Sequence, residues 1–306
     1  MMDVFKVGLV VPTLNAGSDI NNLLDSLKIQ TKKFDKILFI DSSSSDDTQN
    51  IIMGNNIPLK IINKADFDHG GTRQLGADFM SDMDIIVFMT QDAYLASPTS
   101  IEEILRPFSD KEVGMAYGRQ LPRPGAEPIE AHARLFNYAD TDNVISLENA
   151  RKFGIKATFC SNSFSAYRAE ALRSVGGFPS QTIFGEDVVT AGRFLVAGWK
   201  KIYASKAVVF HSHSYNVIQD FKRYFDIGVL HTREAWILQK FGGASGEGVK
   251  FVKSELKYLY KNSPALIPSA ILRTFLKYGA YKLGRMEHKL PKSWKVHLSM
   301  NHRFWR

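Results

Sequence analysis

The chain predicts an α/β domain with a mostly parallel central sheet and helices on both faces, followed by a basic helical extension. Three observations carry this. Short β-branched apolar runs alternate with segments of helical apolar spacing over residues 7–89. The runs are apolar almost throughout, as strands covered on both faces are. Charge also divides along the chain. Residues 250–306 hold 13 Lys and Arg against Glu255 and Glu287, a net +11, whereas residues 1–249 hold 26 bases against 29 acids, a net −3.

The elements follow in order. "VGLVVPT" (7–13) is a β-branched run broken by Pro12. In "SDINNLLDSLKIQ" (18–30), Ile20, Leu23, Leu24 and Leu27 recur at helical spacing, with Ser18 or Asp19 as N-cap. "KILFID" (36–41) is a second strand, "SSDDTQNIIMGN" (44–55) a polar turn into a short helix, and "LKIIN" (59–63) a third strand. A polar loop leads to a helix from about Thr72 to Met80, and "DIIVFM" (84–89) is the next strand. After Asp110 the rhythm changes. "VGMAYGRQLPRPG" (113–125) is a strand ending in a Pro-rich turn, and residues 157–179 read as a polar strand and a helix stopped at Gly176 and Gly177. Residues 185–204 form a helix entered through two acids, ended by Gly198 and followed by a strand; "VVFHSHSY" (208–215) is a strand whose exit carries His211 and His213.

Composition narrows the function classes. A single cysteine, Cys160, excludes an intrachain disulfide and suits a reducing compartment. "FKVGLVVPTLN" does not read as a signal peptide, and no run reaches the ~18 apolar residues of a membrane span. The expected location is cytoplasmic, with peripheral attachment to the inner face of the cell membrane left open. The acidic body argues against a nucleic-acid partner.

In parallel sheets ligands bind beyond the carboxyl ends of the strands. Those ends carry Thr13 and Asn15, Asp41 to Ser45 with Ser43 among them, and Gln91 with Asp92. Asp41 could accept a hydrogen bond from the imide N–H of uracil or thymine, with the serines on ribose or phosphate; a capped polar turn explains it equally. Neither a dinucleotide glycine motif nor a P-loop is present. In "DFDHGGTRQLGA" (66–77), His69, the paired glycines and Arg73 suit an anion at a helix start, or simply a Gly-rich connector. Asp92 suits a divalent cation, since Mg²⁺ takes one or two carboxylates plus phosphates. His211 or His213 would add nitrogen, better suited to Mn²⁺. Glu186 and Asp187 are favoured in a first turn by the helix dipole, or Asp187 is a general base.

Taken in order, "VVPTLNAG", "FIDSSSSDDT", "GGTRQLGA", "FMTQDAYL", "AYRAEALRSVGGF", "FGEDVVTAGRFLVAGWKKIY" and "AVVFHSHSY" resemble the family 2 inverting glycosyltransferases of GT-A fold, over about residues 5 to 215. The resemblance implies that Pro12, Thr13 and Asp41 hold the nucleotide base, with Asn15, Ser43, His69 and Glu186 also counted among the substrate-binding residues. Arg73 would lie near base, ribose or diphosphate, and Gln91 would face the ribose. Asp92 would hold Mg²⁺ or Mn²⁺, with His211 or His213 on metal or diphosphate, and Asp187 would be the catalytic base. Gln91 stands where an aspartate is frequent, and the QxxRW motif of processive synthases is missing. "DHGGTR" with "TQDA" looks like the rhamnosyltransferase branch, which uses dTDP-β-L-rhamnose to build bacterial surface polysaccharides such as O-antigen. The partners implied are that donor, or another UDP- or dTDP-hexose, and a saccharide acceptor that is lipid-linked in many members. A nucleotidyltransferase would need a Gly/Lys-rich loop that "PTLNAGSD" does not offer; a sugar-binding protein without catalysis would not need Asp187.

The expected boundary falls between a catalytic domain at 1–215 and a basic helical region at 216–306. In the latter, Val249, Val252, Leu256 and Leu259 form one helical repeat among lysines, and a second helix runs from about Ile267 to Gly284. Such helices suit either an anionic membrane surface or a lid with a solvated basic face.

Overall fold

The computed structural model describes residues 5–243 and 246–306; residues 1–4 of the expected first domain lie outside them. The first half runs β1 (Val7–Thr13), α1 (Ile20–Lys28), β2 (Lys36–Asp41), α2 (Thr48–Gly54), β3 (Leu59–Ile61), α3 (His69–Phe79) and β4 (Ile85–Met89). These four strands pair in parallel in the order β3-β2-β1-β4, with Thr13 beside Asp41. The apolar strands still have a period of two. Val7, Leu9 and Val11 face one core layer with Leu23 and Leu27 of α1, while Val10 faces the other with Ala77 of α3.

The second half runs β5 (Tyr94–Leu95), α4 (Ser100–Leu105), β6 (Val113–Leu121), α5 (Pro128–Asn137), β7 (Asn143–Ile145), α6 (Ala150–Phe153), β8 (Phe164–Arg168), α7 (Ala169–Ser174), α8 (Glu186–Val196) and β9 (Lys200–Phe210). β8 lies antiparallel between β4 and β6, and β9 pairs parallel with β6 but antiparallel with β5 and β7. The α/β class holds, but the nine-stranded sheet is mixed; its continuous parallel run of four strands is the first half, where the strand–helix alternation of the sequence is regular. Two segments differ locally. α3 begins at His69, three residues before the expected Thr72, because the Asp68 carboxylate accepts the Gly71 N–H at 2.6 Å and caps the helix. The strand read after Gly198 and the one read at 208–215 are one, and it ends at Phe210, so both histidines lie in the loop beyond it.

The C-terminal region adds α9 (Val217–Arg233), α10 (Ala235–Phe241), α11 (Glu247–Asn262), α12 (Ile267–Arg285) and α13 (Lys292–Leu298). Phe225, Val229 and Leu230 of α9 share one apolar cluster with Ile183, Phe184 and with Val189 and Leu195 of α8, so these helices complete the core beside the site. α9 and α12 cross closely at two glycines: a Cβ on Gly284 would collide with the Phe225 carbonyl, and one on Gly228 with the backbone around Tyr281 and Gly284. Among the described residues no helix is long and apolar enough to cross a membrane.

Candidate active site

α8 starts after Gly185, whose φ of 74° is the left-handed conformation that glycine adopts without strain. Its first two residues turn their carboxyls inward. Glu186 is buried and meets Arg73 Nη1 at 2.9 Å and Asn162 Nδ2 at 3.0 Å. Burial alone would raise its pKa, but Arg73, and then His69, hold it below the usual range. Asp187 Oδ2 accepts the Asn162 backbone N–H at 3.1 Å and Oδ1 its neighbour Val188 N–H at 2.8 Å. Burial, reinforced by the Glu186 charge, pushes Asp187 up to about 6. Two adjacent carboxyls are thus driven apart, one held ionised and one poised near neutrality.

Asn162 organises this pair, and the sequence reading passed over it. Its side-chain oxygen accepts from Ser165 Oγ and Tyr167 Oη, each at 2.7 Å, so both ends of the amide are occupied. Arg73 also donates to the His69 carbonyl at 3.0 Å. The expected close approach at the paired glycines occurs within the chain: a Cβ on Gly70 would overlap the Pro179 carbonyl oxygen. With Asp68 capping α3 and Arg73 turned to Glu186, these groups are engaged internally.

A second cluster stands at the end of β4. One Asp92 oxygen lies 3.4 Å from His211 Nε2 and 3.5 Å from His213 Nδ1, and the three ligand atoms all fall within 4.8 Å of one another. Gln120 Oε1 accepts from Arg134 Nη1 at 2.8 Å and lies 2.9 Å from His211 Nδ1. That oxygen therefore draws the imidazole proton to Nδ1 and leaves the Nε2 lone pair facing Asp92. Burial lowers the pKa of His211, and burial with His211 beside it takes His213 down to about 3. A carboxylate and two neutral imidazoles converging in this way fit a divalent cation. Arg123 donates to the Asp92 carbonyl and pairs with Asp19 at 3.1 Å, which explains why Asp19 does not cap α1 with its side chain.

The remaining predicted residues form a tightly bonded corner. Asp41 is fully buried and its carboxylate accepts from Thr13 Oγ1, Ser44 N, Ser44 Oγ and Gln49 Nε2, at 2.9, 2.8, 2.5 and 2.6 Å. Asn15, at φ 49°, accepts the Ser45 N–H at 2.9 Å, and Ser43, at φ 59°, donates to the Ile62 carbonyl at 2.8 Å. The Gln91 amide clasps the backbone of Leu14, with 2.7 and 3.1 Å contacts. Pro12 sits half-buried within β1.

A cavity of ≈ 640 Å³ brings His69, Arg73, Glu186, Asp187 and His213 together, and Asn162 and Arg223 also line it. Asp92 adjoins it through His213 and Thr90. Pro12, Thr13, Asn15, Asp41, Ser43 and Gln91 are not part of its wall. Arg223, from α9, stacks 4.2 Å above the Phe184 ring; its position depends on a helix for which the sequence reading had no role.

The sequence pattern of glycosyl transferase family 2 matches residues 9–176. The chain is 45% identical over 301 residues to the O-antigen chain rhamnosyltransferase RfbN of Salmonella typhimurium (strain LT2), covering 98% of this chain and 96% of that protein. It is 44% identical over 298 residues to the O-antigen chain rhamnosyltransferase WbaN of Salmonella anatum, covering 97% and 95%. Among solved structures it is similar to the mannosyltransferase PcManGT from Pyrobaculum calidifontis in complex with GDP-Man and Mn²⁺, with a TM-score of 0.58 at 17% identity over 98% of this chain and 86% of that one. S. aureus TarS 1–349 in complex with UDP-GlcNAc gives 0.56 at 14% identity over 93% and 91%. At those identities the structural likeness concerns the fold.

Proposed function

The chain belongs to glycosyl transferase family 2, and from that premise we propose that it transfers L-rhamnose from dTDP-β-L-rhamnose to a saccharide acceptor, with Asp187 as general base. It is an inverting glycosyltransferase. The rhamnosyl donor is supported by two rhamnosyltransferase relatives that match almost end to end. The base assignment rests on one observation: Asp187 lines the cavity with its pKa pushed up to about 6, beside a partner acid held ionised by Arg73.

In this reading an acceptor hydroxyl lies against Asp187, which takes its proton as the oxygen attacks the anomeric carbon. The bond to the diphosphate breaks on the opposite face, and a β donor yields an α-linked sugar. Asn162, itself held by Glu186, orients Asp187 through its backbone N–H, and Arg73 keeps Glu186 charged so that the shared environment resists a second negative charge. Asp92, His211 and His213 would hold Mg²⁺ or Mn²⁺, the two nitrogens favouring Mn²⁺. Such an ion supplies positive charge to the departing diphosphate. The acceptor in this reading is lipid-linked, which places the enzyme on the cytoplasmic face of a membrane.

The test is turnover. dTDP release from dTDP-β-L-rhamnose in the presence of acceptor saccharide, with an α-linked product by NMR, is the expected result. Transfer only from a UDP- or other dTDP-hexose would replace the donor. An Asp187→Asn enzyme as fast as the parent would overturn the base.

A further inference from the structure

The outward side of α12 has no protein partner among the described residues. Ile271, Leu272, Phe275 and Tyr278 follow one side of the helix and are 41, 54, 72 and 63% exposed. The opposite side is buried on α9 through Ala270, Ala280 and Gly284. α11 packs beside α12 and turns Lys250, Lys253, Lys257 and Lys261 to solvent, with Tyr260 exposed at 76%. From residue 250 onward both acids, Glu255 and Glu287, are buried, and Glu287 is paired with Arg233 and Lys295. Every exposed charged side chain of this region is therefore a cation.

We propose that the outer faces of α11 and α12 dock the enzyme on an anionic lipid bilayer, the apolar stripe of α12 entering the headgroup boundary and the lysines of α11 meeting lipid phosphates. Charge decides the occupant. A second copy of the chain would set two lysine-bearing faces without exposed acids against each other, and a nucleic acid would leave the exposed aliphatic and aromatic groups in water. A bilayer of acidic lipid satisfies both halves of the surface. The surface also has a route to the chemistry. A cavity of ≈ 390 Å³ shares Arg134, His213 and Tyr215 with the larger one and reaches Leu266, in the turn between α11 and α12, and Ser269 in the first turn of α12. The proposal builds on the lipid-linked acceptor reading by naming the docking surface, and its test requires no sugar transfer.

The full chain is sedimented with phosphatidylcholine vesicles and with vesicles containing phosphatidylglycerol. Binding about tenfold stronger to the anionic vesicles, falling in about 0.5 M NaCl, is expected. Phe275→Asp/Tyr278→Asp should abolish vesicle binding, and Lys253→Ser/Lys257→Ser/Lys261→Ser should remove the preference for anionic lipid, both with unchanged Tm and unchanged transfer to a soluble acceptor. Equal binding of the parent to both vesicles, or undiminished binding by the Phe275/Tyr278 variant, overturns the proposal. So does a parent that is dimeric in solution, ignores vesicles and becomes monomeric in that variant. Loss of transfer by Asp187→Asn with vesicle binding intact separates this surface from the catalytic assignment.

Discussion

Asn162 holds two acids in different states, donating its side chain to Glu186 and its backbone N–H to Asp187. The proposed base Asp187 must be deprotonated to act, and its pKa is pushed up to about 6, so activity is expected above about pH 6 and should be lost as pH falls through it. kcat/KM should drop roughly tenfold per pH unit below that point, as checked by a pH–rate profile. Asp187→Asn should reduce kcat by about 10²–10⁴ while donor binding, followed by calorimetry, persists. Arg73→Met leaves Glu186 buried without its cation; a loss of about 3–5 kcal/mol in denaturant unfolding is expected. Asp187 was legible because it is an acid in a recognisable run. Asn162 was not, since one asparagine in a polar turn carries no signal until a helix 24 residues later is laid against it.

At the scale of elements, two glycines of α12 should respond oppositely to the same change. Gly284→Ala places a Cβ against the Phe225 carbonyl at the α9–α12 crossing and should cost about 1–3 kcal/mol. Gly279→Ala meets nothing within 4 Å and should gain about 0.5–1 kcal/mol from helix propensity alone. Thermal melts of the two variants decide it. Two helices of the tail were readable from their apolar repeat, and the α11 and α12 bounds fall within a few residues of that reading, whereas α9, α10 and α13 were not read. The start of α3 was not, because its cap Asp68 lies before two glycines that argue against helix in isolation.

Across the whole molecule, the C-terminal helices cover apolar surface that the sheet domain cannot bury alone. A chain ending at residue 215 would expose Phe184, Val189 and Leu195, and should be recovered aggregated or with higher dye binding than the full chain. Mn²⁺ should raise the Tm of the full chain, and Asp92→Ala should abolish most of that shift. The sequence by itself determined the α/β class, the parallel first half, the basic tail and the acids and histidines available for chemistry. These follow from local periodicity, composition and motifs in order, which need only neighbouring residues. The tertiary structure alone decided that β8 and β9 make the sheet mixed, that Asp41 is enclosed by Thr13, Ser44 and Gln49, and that Asp92 meets His213 and a His211 held by Gln120. The physical reason is that charge state and hydrogen-bond partners depend on distances between groups far apart along the chain, and those distances exist only once the separate elements have packed.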